Sequence, residues 1–505
     1  MRVMFVSSEA YPLAKTGGLA DVSAALPRAL AELGVDVRLV LPGYPCALET
    51  APHKIVEAEF PRVTGAAPTR LIRTCMPDSG LPVWLVDCAD LFNRTGGLYQ
   101  DHDGTDWSDN AQRFAYFSAV AAQLALGQLV PDWHADVVHA NDWHAGLLPI
   151  LLGPEREQRP ATVFTVHNLA YQGLFPSDIL SSLLLPDGIF TPEGVEFYGK
   201  LSFLKAGIRF SDHITTVSPS YAREILGPEF GCGLDGLLRH RMKSITGILN
   251  GVDYRLWNPG TDRHLPARFD SRDLSGKRIC KAELQREVGL EIAPTIPLIA
   301  WLSRITDQKM ADVVCHALPA ILERDVHLVM LGEGDPTLEV QLADVVQHYP
   351  GRLAVWIGYD EELAHRFHAG ADLLLHPCRF EPCGLTPLYA MRYGTAPIVR
   401  HVGGLADTII DATEWSVRAG NATGFAFREP SAAAMLDCLD RALAFYVQPL
   451  LLRKIQLRAM NREFRWEASA RRYLALYRRL APYAAPAHRK PECDEIVQAG
   501  GMRSL

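Results

Sequence analysis

The segment VMFVSSEAYPLAKTGGLADVSAALPRALAELGVDVRLVLPGY, Val3–Tyr44, sets the pattern for the whole chain. VMFVSS is a short apolar run, VSAALPRALAELG is amphipathic and ends at Gly34, and VDVRLVLPGY is apolar again. Strands that are apolar throughout, not alternating, are buried on both faces, which predicts a parallel sheet covered by helices. VWLVD, ADVVHAND, ATVFTVHN, HITTVS and ITGILNGVD continue the pattern, with helical stretches such as AQRFAYFSAVAAQLAL between them. Around residues 252–275 it breaks: YRLWNPGTDRHLPARFD has two prolines and no periodicity, and reads as a linker. PLIAWLS, VHLVMLGEG, LAVWIGY, ADLLLHPC, TAPIVRHVGG and GFAF then restart it. The expected fold class is α/β, with two tandem Rossmann-like doubly wound domains. After Trp466, EASARRYLALYRRL reads as a basic amphipathic helix, and residues 483–505 as a disordered tail.

Composition narrows the function. Hydrophobic residues make up 48% of the 505, enough to bury large cores. Lys and Arg total 50 against 58 Asp and Glu, a balance that argues against a general nucleic-acid binder. No apolar run approaches the length of a membrane span, and the first apolar stretch is too short for a signal peptide. The ten cysteines have no regular spacing, which suits reduced thiols in the cytoplasm better than a disulfide framework or a zinc site.

In open parallel sheets ligands bind beyond the carboxyl ends of the strands. Gly17-Gly18-Leu19-Ala20-Asp21 lies at such a place, and the same five letters return as Gly403-Gly404-Leu405-Ala406-Asp407. Paired glycines opening a helix allow an anion near the backbone, and Lys15 adds a positive charge; a turn needing glycine for geometry alone reads equally well. Arg304 and Lys309 in SRITDQK suit a diphosphate clamp, or are two solvated cations. HPCRFEPCGLTPLYAMRYG, His376–Gly394, holds Glu381 as a hydroxyl acceptor. The Gly384, Leu385 and Thr386 amides open a helix toward a phosphate, and Cys383 offers backbone contacts. The bland alternative is an Arg379–Glu381 ion pair. His167 and Asp142 follow further strands, where each equally serves as a structural hydrogen bonder. Asp101-His102-Asp103 could hold a divalent ion but misses the calcium-loop spacing.

Taken in order, KTGGLADV (15–22), DWHAG (142–146), VHNLAYQG (166–173), ILNGVD (248–253), SRITDQK (303–309), RFEPCGL (379–385) and VGGLADT (402–408) resemble bacterial glycogen synthases and plant starch synthases. The similarity runs from about residue 1 to about residue 480, and chance agreement across seven ordered motifs is not credible. The resemblance implies a retaining glycosyltransferase of the two-domain GT-B type, its domains facing a central cleft. It would move glucose from ADP-glucose to the non-reducing end of an α-1,4-glucan, releasing ADP. The implied organisation is an acceptor-side domain over 1–252, a nucleotide-sugar domain over 253–463, and a helix over 464–482 crossing back to the first domain.

The implied roles follow residue by residue. Lys15 with Gly17 and Gly18 would hold the diphosphate from one side, and Arg304 and Lys309 from the other as negative charge develops on ADP. His167, Asn250 and Glu381 would contact the donor glucose, with Asp21 nearby. Tyr359 looks like the adenine-stacking position, and Tyr99 and Asp142 match acceptor-cleft positions. The two GGLAD copies would line opposite walls. No protein nucleophile, cofactor or metal is implied. Met310 departs from the family's glycine, Pro387 from its glutamine and Cys378 from its small hydroxyl residue, while Tyr389 stands where the wider GT-B pattern has a second glutamate. A UDP-glucose-dependent or otherwise donor-shifted transferase and an inactive glucan-binding homologue are the rival readings.

Overall fold

A computed structural model describes residues 1–61, 68–155, 159–183 and 185–484. Most of the tail expected over 483–505 therefore lies outside the described residues. The chain forms two compact units. The first contains Met1–Val217, Ala222–Gly251 and the chain from Trp466, and the second contains Ser218–Tyr221 and Val252–Arg465.

The first unit is built on a nine-stranded sheet. Its order is Ile245–Gly247, His213–Thr216, Ala161–Val166, Val137–Asn141, Arg2–Val6, Asp36–Pro42, Pro82–Asp87, Thr69–Cys75, Ile55–Phe60. All neighbours are parallel up to Pro82–Asp87, and the last two strands add on antiparallel. Val3, Met4, Phe5 and Val6 are all fully buried, as a central strand covered on both faces requires. The sequence pattern did not reveal the two antiparallel strands. IVEAEF is half-exposed at the sheet edge and carries acidic residues instead of a continuous apolar run.

Gly18–Glu32 forms a helix that buries Ala20, Val22, Ala25, Leu26, Ala29 and Leu30 and packs against the final helix, Trp466–Leu480. That last helix is fixed from beneath. His139 Nδ1 meets the Tyr477 hydroxyl at 2.6 Å, with both groups fully buried. Burial lowers the His139 pKa to about 3, so the ring bonds as a neutral imidazole.

The second unit has a six-stranded sheet, wholly parallel. Its order is Leu353–Ile357, His327–Gly332, Leu298–Leu302, Leu373–His376, Ala396–Arg400, Phe425–Phe427. Ile299 and Trp301 face a core layer with Val314, Leu318 and Ile321, whereas Leu298, Ala300 and Leu302 face another with Leu284, Leu363 and Phe367. This period-two split is why a continuous apolar sequence makes one strand with two buried faces.

Each sheet reverses its winding once, and that is where a crevice opens at the strands' carboxyl ends. In the first unit the reversal falls between Arg2–Val6 and Val137–Asn141, and in the second between Leu298–Leu302 and Leu373–His376. Among the described residues no helix is long and apolar enough to cross a membrane. The expectation of reduced thiols holds for eight described cysteines, but Cys75 is disulfide-bonded, a pairing that irregular spacing could not reveal.

Candidate active site

At the first reversal the chain leaves Val6 into Ser7, Ser8 and Glu9. Glu9 is 3% exposed, so its carboxylate must collect donors. It accepts from Thr16 N (2.6 Å), Thr16 Oγ1 (2.7 Å), Gly17 N (3.2 Å) and the Tyr99 hydroxyl (2.6 Å). The Gly17 amide, which the sequence suggested was open to an anion, is thus spent on Glu9. Glycine at 17 is nevertheless open outward: a Cβ there would meet nothing within 4 Å. Lys15 Nζ bonds Asp21 Oδ1 at 3.0 Å and lies 5.0 Å from the centre of the Tyr11 ring. Gly18 is the first residue of the following helix. Tyr99 also meets Ser8 Oγ at 2.7 Å and stacks on His144 at 4.5 Å, and His144 in turn stacks on Trp143 at 4.0 Å. Burial pushes the Tyr99 phenol well above its ordinary range, so it keeps its proton and donates to Glu9.

Across the reversal, Asp142 follows Val137–Asn141 with φ 54° and ψ −177°, a conformation that costs a non-glycine residue about 1–3 kcal/mol. The strain aims its carboxylate at the next strand end, where Oδ1 accepts from His167 N at 2.8 Å. Burial raises the Asp142 pKa to about 7, against the lowering effect of the His167 and Asn168 amides. His167 Nε2 lies 2.9 Å from Asn141 Oδ1. Asn141 spends its amide nitrogen on the Val6 and His139 carbonyls, so its oxygen accepts and His167 carries its proton on Nε2. Burial lowers the His167 pKa to about 3. The ring is neutral, and Nδ1 is left as its acceptor. Asn250 is 5% exposed, and its Oδ1 is buried without a hydrogen-bond partner.

At the reversal of the second unit, Glu381 is the centre. Its Oε2 pairs with Lys309 Nζ, lies 3.2 Å from His376 Nε2 and accepts from Cys378 Sγ at 3.1 Å. Burial acts to raise the Glu381 pKa, but Lys309 and His376 overcome it and hold the carboxyl well below the usual range. Burial likewise acts to lower Lys309, and the facing Cys378 and Glu381 raise it above an ordinary lysine. The His376, Cys378 and Glu381 ligand atoms lie within 4.8 Å of one another. The irregular cysteine spacing argued against a zinc site, yet His376 stands beside Cys378 here. Because Glu381 Oε2 already holds an ammonium, a divalent ion would have to displace Lys309. The cluster is therefore built as an ion pair.

The surrounding residues hold this pair in place. Arg304 is exposed on the loop leaving Leu302. Met310 takes a left-handed conformation, φ 52° and ψ 33°, with its side chain fully buried. The backbone cost of about 1–2 kcal/mol is offset by roughly 1.5–3 kcal/mol from burying the side chain. Arg379 does not pair with Glu381; it grips both Asp312 oxygens at 2.8 Å, because Lys309 already neutralises the glutamate. Gly384 has φ 87°, and a Cβ there would sit 2.5 Å from Leu405 Cδ2. It introduces the helix Leu385–Arg392, whose start no side chain caps. Leu385 and Thr386 thus present first-turn amides, and Pro387 sits in the first turn, where proline is tolerated. Cys383 is 5% exposed beneath the second GGLAD copy: a Cβ on Gly404 would meet the Cys383 carbonyl at 2.2 Å. Gly404 N donates to Glu381 O at 3.0 Å, and Asp407 accepts from Ser220 N (2.8 Å) and Oγ (2.7 Å). Tyr359 is 61% exposed beyond the edge strand Leu353–Ile357.

Within the first unit the structure thus brings Lys15 and Gly17 of the loop together with Asp21 in the first turn of the following helix, with Tyr99 joined to the loop through Glu9, and places Asp142 beside His167. Within the second it joins Lys309, Glu381 and the Gly384 turn. Sequence reasoning missed Glu9 and His376. Glu9 lies just past one reversal strand, after Ser7 and Ser8, and His376 ends another, and those positions were the available signal.

Two such parallel-sheet units with polar strand ends are those of GT-B glycosyltransferases. Residues 2–240 match the starch synthase catalytic domain, and residues 296–443 match glycosyl transferases group 1. Glycogen synthase of Burkholderia thailandensis is 51% identical over 482 residues, covering 95% of this chain and 90% of the relative. That of Thioalkalivibrio sulfidiphilus is 50% identical over 483 residues, covering 95% and 100%. The catalytic domain of starch synthase IV from Arabidopsis thaliana, solved with ADP and acarbose, is 31% identical with a TM-score of 0.86, covering 95% and 99%. Sucrose-phosphate synthase from Thermosynechococcus elongatus, at 19% identity and a TM-score of 0.60 over 96% and 100%, shares the fold. The chain belongs to the glycogen synthase family, and it is a glucosyltransferase.

Two expected outcomes follow from this geometry. Gly384→Ala loses about 1–3 kcal/mol in urea unfolding, from the left-handed turn and the Leu405 clash; an unchanged midpoint would contradict the packing. Asp142 is protonated in the fold up to about pH 7, whereas in the unfolded chain it ionises near about pH 3.9. Its contribution to stability therefore falls as pH rises through that window. Asp142→Asn should flatten the decline, and parallel stability–pH curves for variant and wild type would refute it.

Proposed function

We propose that the enzyme takes ADP-glucose as donor and adds its glucose, with retention, to the non-reducing end of an α-1,4-glucan such as glycogen, releasing ADP in the cytoplasm. The observation that carries this reading is the buried, ionised Glu381 held by Lys309 and His376 at the second sheet's reversal. A carboxylate kept charged there suits sugar hydroxyls, which donate to it, and the neighbouring cations suit a diphosphate. Further support comes from the glycogen synthase relatives and from the ADP and acarbose bound to the related starch synthase.

In this reading Lys15, Arg304 and Lys309 stabilise negative charge on the departing ADP, with the Leu385 and Thr386 amides and the Gly17–Gly18 and Cys383–Gly384 backbone shaping its phosphate site. Glu381, Asn250 and the neutral His167 fix the glucose hydroxyls, with Asp21 orienting Lys15. Tyr359 stacks on adenine, and Tyr99 and Asp142 guide the acceptor. A phosphate oxygen of ADP takes the acceptor O4 proton as the glycosidic bond forms on the face that ADP leaves. The reading calls for no protein nucleophile, metal, nucleic acid or membrane.

The test is incorporation of labelled glucose into glycogen in EDTA, with ADP-glucose and UDP-glucose in parallel. Incorporation from ADP-glucose, reduced about 10²–10³-fold in Lys15→Ala, is the expected result. Incorporation only from UDP-glucose would replace the donor. Glycogen binding with no incorporation from either would leave an inactive glucan-binding homologue.

A further inference from the structure

The stretch over residues 252–275 reads as a linker in the sequence, yet the second unit uses it as a clamp. Trp257 is 5% exposed and lies between two rings, His365 at 3.9 Å and 6° and Tyr389 at 4.0 Å and 4°. His365 belongs to the helix Glu361–Gly370 and Tyr389 to the helix Leu385–Arg392, so the indole is a flat spacer between the two. Tyr389 stands where the wider GT-B pattern has a second glutamate, and a carboxylate could not complete such a stack.

Asp262 ties the same pair of helices. Its Oδ2 accepts from His365 Nδ1 at 2.7 Å and from the hydroxyl of Tyr393, the residue that ends the second helix. Burial acts to raise the Asp262 pKa, but the bonds from His365 and Tyr393 hold it below the ordinary carboxylate range. Asn258 Oδ1 accepts from Arg392 Nη2 at 3.0 Å. Lys277, 6% exposed, donates from Nζ to Ala369 O at 3.0 Å, Tyr393 O at 3.0 Å and Thr395 Oγ1 at 2.7 Å. A buried ammonium given to the last carbonyls of two helices suits both dipoles and fixes one helix end against the other.

These ties fall at the middle and the carboxyl ends of the two helices. Their amino ends carry groups of the candidate site. Tyr359 directly precedes the Asp360 cap of the first helix, and Gly384 turns into the second, whose first-turn amides are those of Leu385 and Thr386. A helix of two or three turns moves as a rod, so fixing the far ends sets the distance between the near ones. A misplacement of about 1 Å in a bound ligand's surroundings can cost about 10²-fold in rate.

We propose that Trp257 is a positioning residue for the donor nucleotide: clamped between the two helices, it sets the spacing between the platform at Tyr359 and the phosphate-facing amides of Leu385 and Thr386. It touches no substrate. The inference rests on the function proposed above, in which those two places take the adenine and the diphosphate of one ADP.

ADP spans both places, whereas adenosine and pyrophosphate each fill one. Trp257→Leu keeps an apolar side chain but removes the flat spacer, and Trp257→Phe restores a ring. Measured by ligand-observed NMR on the full chain, the Kd of ADP should rise about ten-fold in Trp257→Leu and recover in Trp257→Phe, while those of adenosine and pyrophosphate stay within about two-fold. The KM for the sugar nucleotide should rise with the Kd of ADP, and the KM for glycogen should not. Should Trp257→Leu fail to fold, Asp262→Asn loosens the same two helices and carries the same comparison. Equal losses for ADP and its two fragments, or an unchanged Kd for ADP in a folded variant, would overturn the proposal. A wild type that binds UDP and not ADP overturns the donor reading instead, and the comparison of UDP with uridine and pyrophosphate then decides the role of Trp257.

Discussion

A carboxylate that is 6% exposed keeps its charge only if a cation or several hydrogen-bond donors are buried with it, and for Glu381 the partner is a cation. Lys309 is supplied by the short turn after Leu298–Leu302, and His376 by the end of the adjacent Leu373–His376 strand. The pair therefore forms only where the sheet reverses and brings those two strand ends together. Much of the nearby architecture serves it. Gly384 turns the chain away at once, Gly404 lies flat on Cys383, and Arg379 is drawn off to Asp312 so that it does not compete. Removing one member would strand a buried charge, at a cost of about 3–5 kcal/mol.

Glu9 repeats the principle in the first unit with neutral donors in place of a cation. A single carboxylate gathers the Thr16–Gly17 backbone, the Thr16 hydroxyl and the Tyr99 phenol, so the glycine loop is held from beneath while its outer face stays open. The two GGLAD copies show how the same letters do different work. In the first, Asp21 pairs with Lys15 and Gly17 faces open space. In the second, Gly404 is there for close packing and Asp407 holds Ser220.

Apolar runs and glycine-led helices made the parallel strands and the strand-end loops legible from sequence, because in this fold both features are local. What escaped notice was non-local. Glu9 looks like an ordinary turn residue until Thr16, Gly17 and Tyr99 converge on it, and His376 reads as a strand end until Glu381 folds back to it. Arg379 two residues from Glu381 suggested an ion pair, but Asp312, distant in sequence, outcompeted it. Ile55–Phe60 was overlooked because a half-exposed sheet edge tolerates charge where central strands do not, and Thr69–Cys75, though mostly buried between two strands, because Arg70 and Arg73 interrupt its apolar run.

The account stands on Glu381 remaining ionised through its contact with Lys309. The most direct measurement is a carbon-13 NMR titration of glutamate carboxyl groups, with Glu381 assigned by the resonance lost in Glu381→Gln. The account predicts that this carboxyl stays ionised well below about pH 4, where an ordinary glutamate takes up its proton, and that Lys309→Met moves it upward. A Glu381 that protonates above about pH 5 in the wild-type protein, or is indifferent to Lys309→Met, would contradict it.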